Sequence, residues 1–186
     1  MTIDINKIGS GGFMNPDKIV EELNIKNGMF VADFGCGAGY FTIPIAKIIK
    51  NSGKIYAIDV LNESLENVLS KAKLYDLLNI KTVRANIEII GGSKIESGSV
   101  DLVILANILF QCNDHSSVLN EAKRILKNNG SVVVVDWIPK KVPLGPKYEH
   151  CLSEETIKKL AIKNGLKVVR KIDAGNQHYG MVLKNI

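Results

Sequence analysis

The feature that most constrains this chain is a turn. VADFGCGAGYFTIPIAK, residues 31–47, runs from an apolar stretch ending at Phe34, through Gly35, Gly37 and Gly39, into an apolar run with helical spacing. Glycine adopts positive φ without a Cβ penalty and lets backbone approach a ligand closely. A strand, a glycine turn and a helix in that order build the ligand edge of an open parallel sheet, where ligands sit beyond the carboxyl ends of the strands. The spacing Gly-x-Gly-x-Gly is not the dinucleotide fingerprint, and no Gly-Lys-Ser/Thr follows. Neither a nicotinamide site nor a P-loop triphosphate site is supported.

The rest of the chain alternates. Asn15-Pro16-Asp17 opens a first helix, with proline suited to its first turn. Residues 29–34 read as a buried strand and 39–50 as a helix whose Pro44 must sit in the first turn. Strands follow at 54–59, 80–85 and 100–106, with a helix at 62–75 carrying Leu65, Val68, Leu69 and Ala72 on one face. Asn113 or Asp114 caps a helix expected to reach Lys127 and to end in the left-handed Asn128-Asn129-Gly130. A strand spans 131–136, a proline-punctuated loop 138–146, and Ser153 caps a helix ending near Asn164-Gly165. The last strands, 166–172 and 179–184, are joined too tightly for a helical crossover and should pair antiparallel. Alternation predicts an α/β, doubly wound, Rossmann-like sheet of seven strands, six parallel and one reversed, in a single domain over residues 1–186.

A second residue gives the glycine turn chemical meaning. Asp59 ends the next strand, where a carboxylate can accept both hydroxyls of a ribose or cap the following helix. Asp33 sits just before the glycines and can accept N–H groups of the turn or meet an ammonium group.

The motif Asp33-Phe34-Gly35-Cys36-Gly37-Ala38-Gly39, the acid Asp59 and Leu126-Lys127-Asn128-Asn129-Gly130 before strand five resemble those of the class I S-adenosylmethionine-dependent methyltransferases. The narrower resemblance is to the branch containing the ubiquinone and menaquinone methyltransferases, and it covers residues 15–184. It implies strand order 3-2-1-4-5-7-6 with strand seven antiparallel, S-adenosylmethionine as cofactor and S-adenosylhomocysteine as product. The pre-strand-five element departs from the family's Leu-Lys-Pro-Gly-Gly at its proline and first glycine. The family's aspartate for the adenine amino group is replaced by Asn86, whose side-chain oxygen can accept the same bond or which can simply shape a turn. Ile87 would pack on the adenine. The expected cofactor-lining set is Phe13, Asp33, Gly35, Cys36, Gly37, Gly39, Asp59, Val60, Leu61, Asn86, Ile87, Ala106 and Asn107. Residues 1–15 read as a lid segment with Phe13 as its cover.

The acceptor side is less legible. Asp136 reads equally as a general base or as a cap of the loop after strand five. Asn107 reads as lining for the cofactor's methionine end and as a catalytic candidate. His178, placed in a loop at the site mouth, is a further catalytic candidate. An amino-methylating tetrapeptide is poorly matched by Asn107-Ile108-Leu109-Phe110. Arsenite methylation is disfavoured because Asn107 and Ile108 stand where a cysteine is expected. The three cysteines, Cys36, Cys112 and Cys151, lie far apart with no CxxC, so neither disulfide framework nor metal site is expected. A net charge of +5 permits an RNA acceptor, but no dense basic tract appears. A small-molecule acceptor is the leading expectation, an RNA or protein acceptor or a non-catalytic cofactor-binding module the alternatives. No apolar run approaches the roughly 20 residues of a membrane span and no signal pattern opens the chain, so a cytoplasmic location is expected. The sequence leaves the oligomeric state open.

Overall fold

The computed structural model describes residues 14–140 and 145–186. Among the described residues five α-helices and seven strands follow in order: α1 (Pro16–Glu22), β1 (Phe30–Phe34), α2 (Thr42–Ile49), β2 (Lys54–Asp59), α3 (Asn62–Leu74), β3 (Ile80–Arg84), β4 (Val100–Ala106), α4 (His115–Ile125), β5 (Leu126–Trp137), α5 (Glu154–Lys163), β6 (Leu166–Ile172) and β7 (His178–Asn185). Short 3₁₀ turns lie at Leu109–Gln111 and Tyr148–His150. The strands form one sheet of order β3-β2-β1-β4-β5-β7-β6. β7 runs antiparallel to both β5 and β6, and the other pairings are parallel.

Strand alternation sorts the core into two faces. Val31, Ile55, Leu102, Ile104, Val133, Val135 and Val182 pack beneath Ile19 and Val20 of α1 and Ile45 and Ile49 of α2. Ala57 meets Leu65 and Val68 of α3 on that same face. Ala32, Phe34, Val103, Leu105, Val132 and Val134 pack against Val118 and Ile125 of α4 and Ile157 of α5. Strands buried on both sides are why residues 102–105 and 132–135 are unbroken apolar runs.

Caps fix several helix starts. Asn15 accepts from Lys18 N, Asp114 from Ser117 N and Ser153 from Thr156 N. The end of α4 differs from expectation. The helix stops at Ile125, Leu126 is already extended, and β5 begins there by pairing with Val100 across a register shift. Neither Asn128, Asn129 nor Gly130 has positive φ. Gly130 is required for space: a Cβ there would lie 2.7 Å from Leu126 Cδ2 and 3.1 Å from the Asp101 carbonyl. Sheet pairing, rather than a left-handed stop, ends the helix. Among the described residues no helix is long and apolar enough to cross a membrane.

Candidate active site

The site is built at the carboxyl ends of β1, β2 and β4. Gly35, Gly37 and Gly39 all have positive φ, at 70°, 48° and 79°. The turn is anchored by Gly35 N and Cys36 N donating to the Ile58 carbonyl at 2.8 and 3.0 Å. Lys71 of α3 braces it from outside, donating to the Ala38 carbonyl at 2.6 Å. A Cβ added to Gly37 would meet nothing within 4 Å, so that glycine borders open space.

Asp59 closes the turn. It is 9% exposed, one carboxylate oxygen accepts from Gly37 N at 3.0 Å, and the other from Leu61 N at 3.0 Å. The residue thus joins the glycine turn to the start of α3. A carboxylate has about four lone-pair positions, so acceptor capacity remains on both oxygens. The apolar side chains of Val60 and Leu61 beside it are exposed at 52% and 62%.

Asp33 is buried beneath the turn and accepts from the Thr42 hydroxyl at 2.5 Å. Burial pushes its carboxyl up to about 6, against the lowering effect of the Thr42 bonds, with the Asp59 charge adding to the rise. Asp33 therefore ties β1 to the first turn of α2. The only sign of the Thr42 partner in the sequence is a hydroxyl at the start of the run after the turn. Cys36 is buried against Ala57, Leu65 and Val68, and burial drives its thiol upward, keeping it protonated.

The segment after β3 forms the next wall. Asn86 Oδ1 accepts from Glu88 N at 2.9 Å, a local turn that leaves its amide group and second lone pair outward. The Ile87 side chain packs into the core beneath. A cleft of about 510 Å³ opens here between Val60, Ala85, Asn86 and Ile89. Two acids that carry no motif in the sequence fasten this segment. Glu88 accepts from Asn113 N and Asp114 N at 2.7 and 2.6 Å. Glu121, fully buried on α4, accepts from Gly91 N and Ser93 N at 2.7 and 3.1 Å and pairs with Arg124 at 2.8 Å. A larger cavity, about 840 Å³, lies at the opposite edge among Lys26, Lys127, Arg170 and Lys184. That edge holds the amino ends of the parallel strands, away from the glycine turn.

At the end of β4, Asn107 has φ 53°, its N–H bonds the Val135 carbonyl at 2.8 Å, and its Oδ1 is buried without a partner. Asp136 is 1% exposed. It caps the turn after β4, not the loop after β5: Leu109 N donates to it at 3.0 Å, and Trp137 N at 2.8 Å. Burial raises its carboxyl to about 6. His178, expected in a loop, is instead the first residue of β7 and only 4% exposed, because its register with Trp137 continues the β5–β7 ladder. Phe13 and most of the expected lid lie outside the described residues. Among the described residues no group of three or more His, Cys, Asp or Glu side chains is placed to hold a metal ion.

A seven-stranded sheet of this order, with a glycine turn locked to an acid one strand away, defines the class I S-adenosylmethionine-dependent methyltransferases. The family model described as a methyltransferase domain matches residues 25–182, and the chain belongs to that family. A demethylmenaquinone methyltransferase of Staphylococcus saprophyticus is 26% identical over 134 residues, covering 72% of this chain and 54% of that protein. One from Lactococcus lactis is 29% identical, covering 68% and 49%. The chain thus spans about half the length of the curated relatives it matches. The crystal structure of an S-adenosylmethionine-dependent methyltransferase from Aquifex aeolicus superposes with a TM-score of 0.85 at 25% identity, covering 95% of this chain and 93% of that one. The cofactor of this class is S-adenosylmethionine.

Proposed function

We propose that this chain transfers a methyl group from S-adenosylmethionine to a small-molecule acceptor. The observation that carries the reading is Asp59, held by Gly37 N and Leu61 N with lone pairs to spare, beside a glycine where an added Cβ would meet nothing within 4 Å. Two vicinal hydroxyls are the donors such a carboxylate suits. The cofactor supplies a methyl group already activated on a positively charged sulfur.

The chain's own residues then bind and orient. Gly35, Gly37 and Gly39 keep the turn free of side chains, while Asp33 and Cys36 hold it from below. Val60 and Leu61 offer apolar cover beside Asp59, and the outward amide of Asn86 offers polar contact to a purine edge. The backbone N–H of Ile87 is a further donor there. Ala106 and the unpartnered Oδ1 of Asn107 border the methionine end, where an ammonium group would complete the latter. Asp136, only 1% exposed and bonded to Leu109 N and Trp137 N, positions the Leu109–Gln111 turn. Positioning of this kind supplies a large share of the barrier reduction in group transfer. The small-molecule assignment draws support from the relatives named for demethylmenaquinone methylation.

Calorimetric titration with S-adenosylhomocysteine tests the reading. Micromolar binding that falls at least about tenfold in Asp59→Ala, with no binding of NADH, is the expected result. Undiminished binding in Asp59→Ala, or a preference for NADH, would sink it.

A further inference from the structure

The fold gathers positive charge that the sequence scatters. Lys26, Lys127, Arg170 and Lys184 belong to four separate segments, and all four line the cavity of about 840 Å³ at the amino ends of the parallel strands. Its floor is aliphatic: Leu23, Leu102, Val133 and Val182 reach it from the core beneath α1 and α2. Asn128, Asn129 and Ser131 add neutral donors to the rim.

Little within the chain offsets that charge. Asp101 is the one acid in the lining among the described residues, and it is engaged. One of its oxygens accepts from Phe30 N at 2.8 Å and the other pairs with Lys127 at 2.8 Å. Arg170 reaches back to Glu22 at the end of α1, donating to its carbonyl at 2.8 Å with the carboxylate 3.7 Å away. Among the described residues, no ion pair involves Lys26 or Lys184. Strand register sharpens the surplus. Lys167 of β6 stands directly opposite Lys184 of β7. Both fall on the α1 face, because Val182 belongs to that core and Leu166 and Leu183 to the other. Directly opposed residues of an antiparallel pair have Cβ atoms about 5 Å apart, and like charges there are destabilising. An anion from outside the chain answers that surplus.

We propose that this cavity binds a small phosphorylated molecule with an aliphatic body, at a site separate from the one that takes the cofactor. The lining selects that class. A guanidinium fork and ammonium groups suit a phosphate dianion, and the floor suits a hydrocarbon. The volume lies in the range of small-molecule pockets, about 300–1,000 Å³. Among the described residues no aromatic side chain lines it, whereas single-stranded nucleic acid is held by stacking on such groups. A second copy of this chain would bring its own net charge of +5 against the same cations. The site does not depend on the methyltransferase reading.

The test is calorimetry on the full chain with n-hexyl phosphate as probe, at about pH 8, where a phosphate monoester is dianionic. Hexyl phosphate is expected to bind. Inorganic phosphate, which forgoes the aliphatic floor, should bind at least about tenfold more weakly, and 1-hexanol not measurably. The double variant Lys26→Gln, Lys184→Gln should weaken hexyl phosphate at least about tenfold. Lys159→Gln, an equal loss of charge per residue on the exposed side of α5, should change it less than about twofold. Lys184→Gln alone should raise the melting temperature, because it removes the like-charge pairing with Lys167. S-adenosylhomocysteine in excess should leave hexyl phosphate affinity within about twofold. Failure of hexyl phosphate to bind overturns the proposal, and so does competition by S-adenosylhomocysteine. An effect of Lys159→Gln as large as that of the double variant would reduce the site to general surface charge. A lower melting temperature for Lys184→Gln would mean that the fold already compensates this lysine. Tighter binding of polyuridylate than of hexyl phosphate would make the face a nucleic-acid surface. Each of these three results also overturns the proposal.

Discussion

Gly35 and Gly37 share a left-handed backbone but not the same surroundings. A Cβ at Gly35 would lie 2.5 Å from Ile108 Cδ1 and 2.7 Å from its Cγ1, inside the protein, whereas at Gly37 it would meet nothing within 4 Å. Left-handed backbone strains an alanine by about 1–2 kcal/mol, and overpacking adds about 1–3 more. Gly37→Ala is therefore expected to lose about 1 kcal/mol of stability by urea unfolding yet at least about tenfold in S-adenosylhomocysteine affinity. Gly35→Ala should lose about 2–5 kcal/mol. Equal effects of the two on binding and stability would contradict a ligand on the open side of Gly37. At this scale the sequence is informative about geometry, because the positive-φ glycines, the Asp33–Thr42 bond and the Asp59 bonds to Gly37 N and Leu61 N all lie at adjoining strand ends. For His178 it is not, since one residue's shift in where β7 begins turns a loop histidine into a buried one.

Between elements, the fastening of the β3–β4 connection to α4 is the least legible part. Nothing local in the sequence marks Glu121 as fully buried. Only the return of Gly91 and Ser93 over α4 gives it four partners: two backbone N–H groups, the Ser93 hydroxyl and Arg124. Those bonds hold its carboxyl down near 2 although burial, the largest effect, pushes upward. Glu121→Gln should cost about 1–3 kcal/mol, since it removes the charge from a fully buried acceptor of four hydrogen bonds. It should also weaken S-adenosylhomocysteine binding by loosening the wall that contains Asn86. Urea unfolding and calorimetry on the same variant check both. The α4–β5 boundary escapes the sequence for a related reason. Leu126 suits the apolar stripe of a helix and the interior of a strand equally, and its pairing with Val100, 26 residues away in sequence, decides between them. Strand order, by contrast, follows from alternation and the short β6–β7 link, which are properties of the chain's rhythm rather than of any single contact.

For the whole molecule, the buried titratable groups combine into one pH dependence. Asp33 and Asp136 have folded pKa values raised to about 6. Each contributes stability that is present below its unfolded value and lost as pH rises through about 6. His178 is lowered to about 4 and Glu121 to about 2. Their contributions are present above their unfolded values, near 6.5 and 4.5, and lost as pH falls. Near pH 5 the two aspartates bind protons on folding while the single histidine releases one, so folding takes up roughly one net proton and stability falls as pH rises. Below about pH 4 Glu121 reverses the slope. Thermal stability should therefore peak near pH 4 and fall by about 1 kcal/mol toward pH 7, a decrease of roughly 2–4 °C for a chain of this size. Asp136→Asn removes one of the two aspartates and leaves Asp33 and His178 nearly balanced. Its maximum should then move up toward neutrality, whatever the variant's absolute stability. Melting curves from about pH 3.5 to 8 on both proteins distinguish the cases. A wild-type optimum at neutral pH, or one unmoved by Asp136→Asn, would mean that Asp136 is ionised without penalty in the fold and that its burial under the turn after β4 is overstated.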